Sequence, residues 1–182
     1  MVHVARRVLG AIVVLAIVAG ATLALSSRPR LKSDRNAVER SWSAVRGGLA
    51  ERYALIDKLA RAGAATGGPP NPLIDEIETT YASWKALKGD APVASAIVKA
   101  NALEGLAVRL AATVKASPIL NGDPAVTTAL RNVTTARAPA GITALNQAVA
   151  RYEHDRGGPV RRLVAGPLGF DAIPRLAVQA TA

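Results

Sequence analysis

Eighteen consecutive residues, Val8 to Leu25 (VLGAIVVLAIVAGATLAL), carry no charge. Wound as an α-helix, such a run is about 27 Å long, close to the ~30 Å hydrocarbon thickness of a bilayer. Arg6 and Arg7 stand before it, and Arg28, Arg30, Lys32 and Arg35 follow it. Long basic side chains at either end of a span reach lipid headgroups. The spacing therefore predicts a transmembrane helix over 8–25, with Arg6, Arg7, Arg28, Arg30 and Lys32 in contact with the membrane surface. A cleaved signal peptide is the alternative, since Ala24 and Ser26 are small enough to serve a peptidase. The apolar core exceeds the usual ~7–15 residues and cations crowd the cleavage position, which favours a retained anchor. More basic residues follow the span than precede it, so the positive-inside rule favours a cytoplasmic C-terminal domain in a single-pass cell-membrane protein.

The remaining residues are enough for one domain. Apolar residues make up 50% of the 182 positions, aromatics only 3%, and alanine alone fills 38. That composition favours helix over strand. Of the formal charge of +10, residues 1–35 hold six basic groups against one acid, half of the total. Anionic lipid accounts for a cationic cluster placed beside a span. The other basic residues are scattered among acids without aromatic interleaving, which argues against nucleic acid as a partner. The chain has no cysteine, which excludes disulfides, thiolate metal sites, Fe–S clusters and a thiol nucleophile.

Beyond the anchor the apolar period is helical. Val38, Trp42, Val45, Leu49, Tyr53, Ile56 and Leu59 recur at steps of four and three, one face of a long helix over 36–65. Only Pro29 separates it from the anchor, and Gly47-Gly48 is a place for a bend. Thr66-Gly67-Gly68-Pro69-Pro70 breaks the chain. Asn71 then offers a cap, Pro72 suits the first helical position, and Asp75 and Glu76 suit the first turn. Leu73, Ile74, Ile77, Tyr81, Trp84 and Leu87 line that helix. Val93, Ile97, Ala100, Leu103, Ala107, Leu110 and Val114 line a third, ended by Ser117-Pro118. Asp123-Pro124 caps a fourth, with Val126, Leu130 and Val133 inward. Pro139 predicts a break near Ala138, with helix resuming from about Gly141 and Ile142, Leu145, Val149 and Tyr152 inward.

The expectation is an all-α chain: a short basic N-terminus (1–7), a transmembrane helix (8–25), a basic linker (26–35), an antiparallel bundle of about four helices (36–156), and a tail packing on it (157–182).

These blocks resemble the LemA family. Trp42-Ser43, Val45, Leu49, Arg52, Leu55-Ile56 and Leu59 are similar to that family's first long helix. Leu145-Asn146, Val149 and Tyr152 sit where the family has two Tyr-Asn-like steps. Leu163-Val164-Ala165 and Leu168-Gly169-Phe170 resemble its closing motif, and Pro118 and Leu120 a Pro-x-Leu between helices. Leu145, Glu153 and Pro139 depart from the pattern. The resemblance implies a single-pass membrane protein with a helical bundle, an N-terminus outside the cytoplasm and no established catalytic residue. Some members of that family are associated with membrane proteases or with the organisation of intracellular membranes.

No reaction chemistry is assembled. Asp75, Glu76 and Glu78 are explained by a helix's first turns. Glu153-His154-Asp155 are consecutive, so on a helix they diverge instead of converging on one ion. No Gly-x-Ser-x-Gly frames a nucleophile. Catalytic, cofactor and metal sites are therefore not expected. Arg161 and Arg162, with Phe170 nearby, form either a tail packed over the open end of the bundle or a basic-apolar patch for lipid or a partner. The expected role is a non-enzymatic scaffold or adaptor. Its expected partners are the lipid bilayer and a membrane or membrane-associated protein, with homo-oligomerisation open. An accessory subunit of a membrane protease and a small-ligand or metal sensor are the alternatives.

Overall fold

The computed structural model describes the backbone of residues 2–66, 72–87, 89, 91–157, 165–166 and 169–178, and the side chains of these residues from Arg28 onward. Among them are six helices: α1 (Val2–Ala65), α2 (Pro72–Lys85), α3 (Val93–Ala116), α4 (Pro118–Gly122), α5 (Pro124–Thr135) and α6 (Ile142–Arg156). No helix of the described residues is long and apolar enough to cross a membrane. The side chains of the 8–25 run, and of Arg6 and Arg7, lie outside the described residues.

The helical stripe of α1 is the spine. Val38, Trp42, Val45, Leu49, Tyr53, Ile56 and Leu59 are all buried. Leu31, one heptad before Val38, is buried too, so the core reaches back into the segment 26–35. Each such aliphatic side chain contributes roughly 1.5–3 kcal/mol on burial. α1 runs through Pro29 without a break.

The other helices pack along this spine. Ile74 approaches Gly63, while Arg46 Nη2 donates to the Leu87 carbonyl at 2.9 Å, so α2 runs antiparallel to α1. Lys99 reaches Ser83 and Arg109 reaches Glu76, which sets α3 antiparallel to α2 and parallel to α1. Small residues on the inner face of α3 (Ala96, Ala100, Ala107 and Ala111) are buried, which brings its backbone close to α1. Ser117 ends α3 and caps the single turn of α4 through its side chain. Asp123 caps α5, accepting from the amides of Ala125 and Val126.

α5 and α6 together form one leg antiparallel to α1. The Ala136 carbonyl accepts from Arg52, Gly141 meets Val45, and Asp155 pairs with Arg30. The bundle thus has four legs, the fourth broken into two helices over 136–141, as Pro139 requires. Gly141, with φ 91°, redirects the chain into α6. α1 is unbroken at Gly47-Gly48, and Gly48 has a different purpose from a bend. A Cβ there would stand 2.8 Å from Pro139 Cβ. Gly48 is the flat seat on which the α5–α6 break rests.

Candidate functional site

Three polar arrangements interrupt this apolar bundle. The first is a groove between α3 and α6 filled by an extended strap, residues 169–178. Gly169, with φ 75°, turns the chain into it. Phe170, Ile173 and Leu176 are then buried, and the residues between them are exposed or half-buried. A buried position every third residue is the period of a polyproline-type extended chain, about 9 Å per repeat.

Such a strap has no sheet to satisfy its main chain, and the helices beneath have spent their own backbone groups on each other. Side chains do the work instead. Asn146 of α6 donates from Nδ2 to the Leu176 carbonyl at 2.8 Å and accepts from the Leu176 amide at 2.9 Å. Asn101 of α3 donates to the Arg175 carbonyl and accepts from the Ala177 amide, both at 2.9 Å. Asn146 thus takes both main-chain groups of Leu176 itself, and Asn101 takes the flanking Arg175 carbonyl and Ala177 amide, so the two asparagines clamp Leu176 between them.

Two more α6 side chains extend the clamp. Glu153 Oε1 accepts from the Ile173 amide at 2.7 Å, and Tyr152 Oη donates to the Asp171 carbonyl at 2.7 Å. Asn146 and Glu153 are seven residues apart on α6, about 10.5 Å along the axis. The strap amides they hold are three residues apart, about 9 Å. The two repeats are commensurate, so one helix face reads successive turns of the strap. Burial, and next the Glu153 charge, raise the Tyr152 pKa above the usual phenol value. Tyr152 therefore stays a donor at neutral pH. Beside Asp171 and Ile173 opens a cavity of about 270 Å³, walled by Arg35, Glu39 and the first turn of α3.

The second arrangement lies inside the bundle. Arg52 and Glu104, 4% and 1% exposed, form a two-pronged pair: Nε to Oε1 at 2.8 Å and Nη2 to Oε2 at 3.1 Å. Arg52 Nη1 also donates to the Ala136 carbonyl at the end of α5, so one guanidinium ties α1, α3 and α5. The next residue on α1, Tyr53, donates to the Ala100 carbonyl and packs edge-on to Trp84, centroids 5.0 Å apart. Trp84 meets Trp42 edge-on at 5.9 Å. Burial, and next the Glu104 charge, push the Tyr53 pKa well above the usual phenol range.

The third is at the α1–α6 end. Asp155 pairs with Arg30. Asp34 stands beside Asp155, and its Oδ2 accepts no hydrogen bond among the described residues. Burial raises the Asp34 pKa first. The Asp155 charge and a hydrogen bond to Asp155 raise it further, against Arg30 and Arg151.

Among the membrane-contact residues, Arg28, Arg30 and Lys32 are all exposed, and Arg30 also carries the Asp155 ion pair. Of the interfacial patch, Phe170 is 7% exposed and belongs to the core, so it is not presented to lipid here. Arg161 and Arg162 lie outside the described residues. Glu76 pairs with Arg109. Glu153 and Asp155 turn to different partners, the strap and Arg30. No group of three or more metal-ligating side chains occurs among the described residues. No family model, curated protein or solved structure matches the chain.

Sequence reasoning missed both asparagine clamps and the Arg52–Glu104 pair. The three-residue spacing of Phe170, Ile173 and Leu176 is also a helix's i, i+3 step, so it gives no specific signal for the clamps. Arg52 and Glu104 are 52 residues apart, and nothing local in the sequence links them.

Proposed function

We propose that this chain is a membrane-anchored, non-enzymatic helical-bundle scaffold or adaptor, similar to the LemA family. One observation carries the reading. α1 joins the uncharged run 8–25 to the bundle's central stripe in a single helix, so anchor and scaffold are one element. A helix of 64 residues is about 96 Å long. The anchor would hold the bundle at the membrane surface and raise its effective concentration toward membrane partners. Arg6, Arg7, Arg28, Arg30 and Lys32 would sit at the headgroups, with the bundle on the cytoplasmic side.

The test is fractionation of the full chain against a Leu15→Arg, Val18→Arg variant. The parent is expected to stay with membranes through alkaline carbonate, and the variant to be released. A parent chain that carbonate releases contradicts the anchor. Thr66→Cys, in the first loop of a chain with no other cysteine, reads the side. An impermeant maleimide is expected to label it only after lysis.

A further inference from the structure

We propose that the α3–α6 groove is a receptor for extended peptides, and that the chain's own strap is its resident, exchangeable ligand. The occupant in trans is a segment of a partner protein with apolar side chains at three-residue spacing and an unblocked main chain. The inference stands on the groove alone and does not depend on the membrane anchor.

Four observations carry it. First, the hydrogen bonds that Asn101, Asn146, Tyr152 and Glu153 make to the strap all go to main-chain atoms. Those atoms are common to every peptide, so the clamp does not require this sequence. Second, each clamp asparagine uses both ends of its amide on the strap, and only one orientation satisfies both bonds. Third, the commensurate spacing of Asn146 and Glu153 against Ile173 and Leu176 is the arrangement needed to hold an extended ligand in register. Fourth, the cavity beside Asp171 and Ile173 shows that the strap leaves part of its groove unfilled. An occupant with a larger side chain at the position of Asp171 would gain contact there.

The strap competes by tethering. Strap and groove belong to one chain, and Ala165 just before the strap is itself buried in the core, so the strap acts on its groove at a high effective concentration. A free peptide must overcome that, so weakening the strap opens the groove.

The experiment uses full-length protein and a fluorescent peptide of residues 169–178. In the parent chain the strap competes. In an Ile173→Ser, Leu176→Ser variant it no longer does, and the peptide is expected to bind at least tenfold more tightly. Adding Asn101→Ala and Asn146→Ala to that variant is expected to abolish binding. So is methylating the peptide's Leu176 amide nitrogen. A cooperatively folded serine variant that binds no peptide overturns the proposal. So does binding that survives loss of both asparagines. A dimer that exchanges straps between copies yet takes up no free peptide also overturns it, in favour of self-association. If the serine variant does not fold, the parent chain is titrated with millimolar unlabelled peptide. Faster exchange of its own Leu176 amide supports displacement, and unchanged exchange contradicts it.

Discussion

The contact of α1 with α3 and the contact of the strap with α3 and α6 are both buried and both contain polar groups, yet they are held by opposite means. At Arg52–Glu104 the recognition is between side chains. Two charges have left water, and each is tolerated only because the other is present. At the strap the recognition runs from side chains to main chain. The neutral amides of Asn101 and Asn146 replace water partners one for one, at a net of roughly 0.5–1.5 kcal/mol per hydrogen bond, and the Glu153 carboxylate beside them is only half-buried. The first contact cannot come apart without stranding a charge inside the bundle. The second can, because strap and asparagines both recover hydrogen bonds from water. The comparison teaches where this molecule is fixed and where it can exchange.

The sharpest way to break the comparison is at the ion pair. Glu104→Ala leaves Arg52 buried opposite no carboxylate and is expected to cost about 3–5 kcal/mol, a large part of the ~5–15 kcal/mol available to a domain. Urea unfolding checks this as a lower midpoint at unchanged slope. Replacing both partners together, Arg52→Met with Glu104→Leu, is expected to recover most of the loss. A double variant as unstable as Glu104→Ala would mean that shape, not stranded charge, sets the cost.

The adjacent glycines give a smaller contrast with opposite signs. Gly47 has open space where a Cβ would go, so Gly47→Ala is expected to stabilise α1 by up to about 1 kcal/mol. At Gly48 a Cβ would press on the stiff ring of Pro139. Gly48→Ala is expected to lose about 1–2 kcal/mol net, since steric overlap outweighs the same gain in helix propensity. Thermal unfolding of the two single variants separates them.

The smallest effect is at the α1–α6 end. The Asp34 pKa is raised in the folded chain, so folding favours the protonated acid. That contribution is fully present below the ordinary aspartate value near 3.8 and is lost as pH rises through the raised folded-state value. Above that window ionised Asp34 faces Asp155. Asp34→Asn is expected to stabilise the chain near neutral pH by at most about half a kcal/mol, because solvent screens the site. The variant's stability is expected to vary less with pH than the parent's across that window.

How much of this was legible in the sequence follows from what each part depends on. The α1 stripe from Val38 to Leu59 was readable because a helix buries residues at a period that the chain itself displays. Asp123-Pro124 and Pro139 were readable because capping and ring closure act locally. Leu31 was hidden by the basic residues around it, which suit a linker as well as they suit the outer face of a helix. Gly48 was readable as a weak point of a helix, but not as a seat, because Pro139 lies about ninety residues on. The clamps were the least legible. An asparagine that holds a distant main chain looks the same in sequence as one that faces water. Asn146 stood out only for its place beside Leu145 in a resemblance, not for what it does.

Hydrogen exchange on the full-length chain tests the central contrast most directly. The amides of Ile173, Leu176 and Ala177 are expected to exchange by local opening, at least ~100-fold faster than that of Leu103 in α3 after correction for intrinsic rates. Their rates are expected to stay nearly flat in low urea while that of Leu103 climbs. Strap amides that share the exchange free energy and urea dependence of Leu103 would show that strap and bundle open only together. That result would contradict the account.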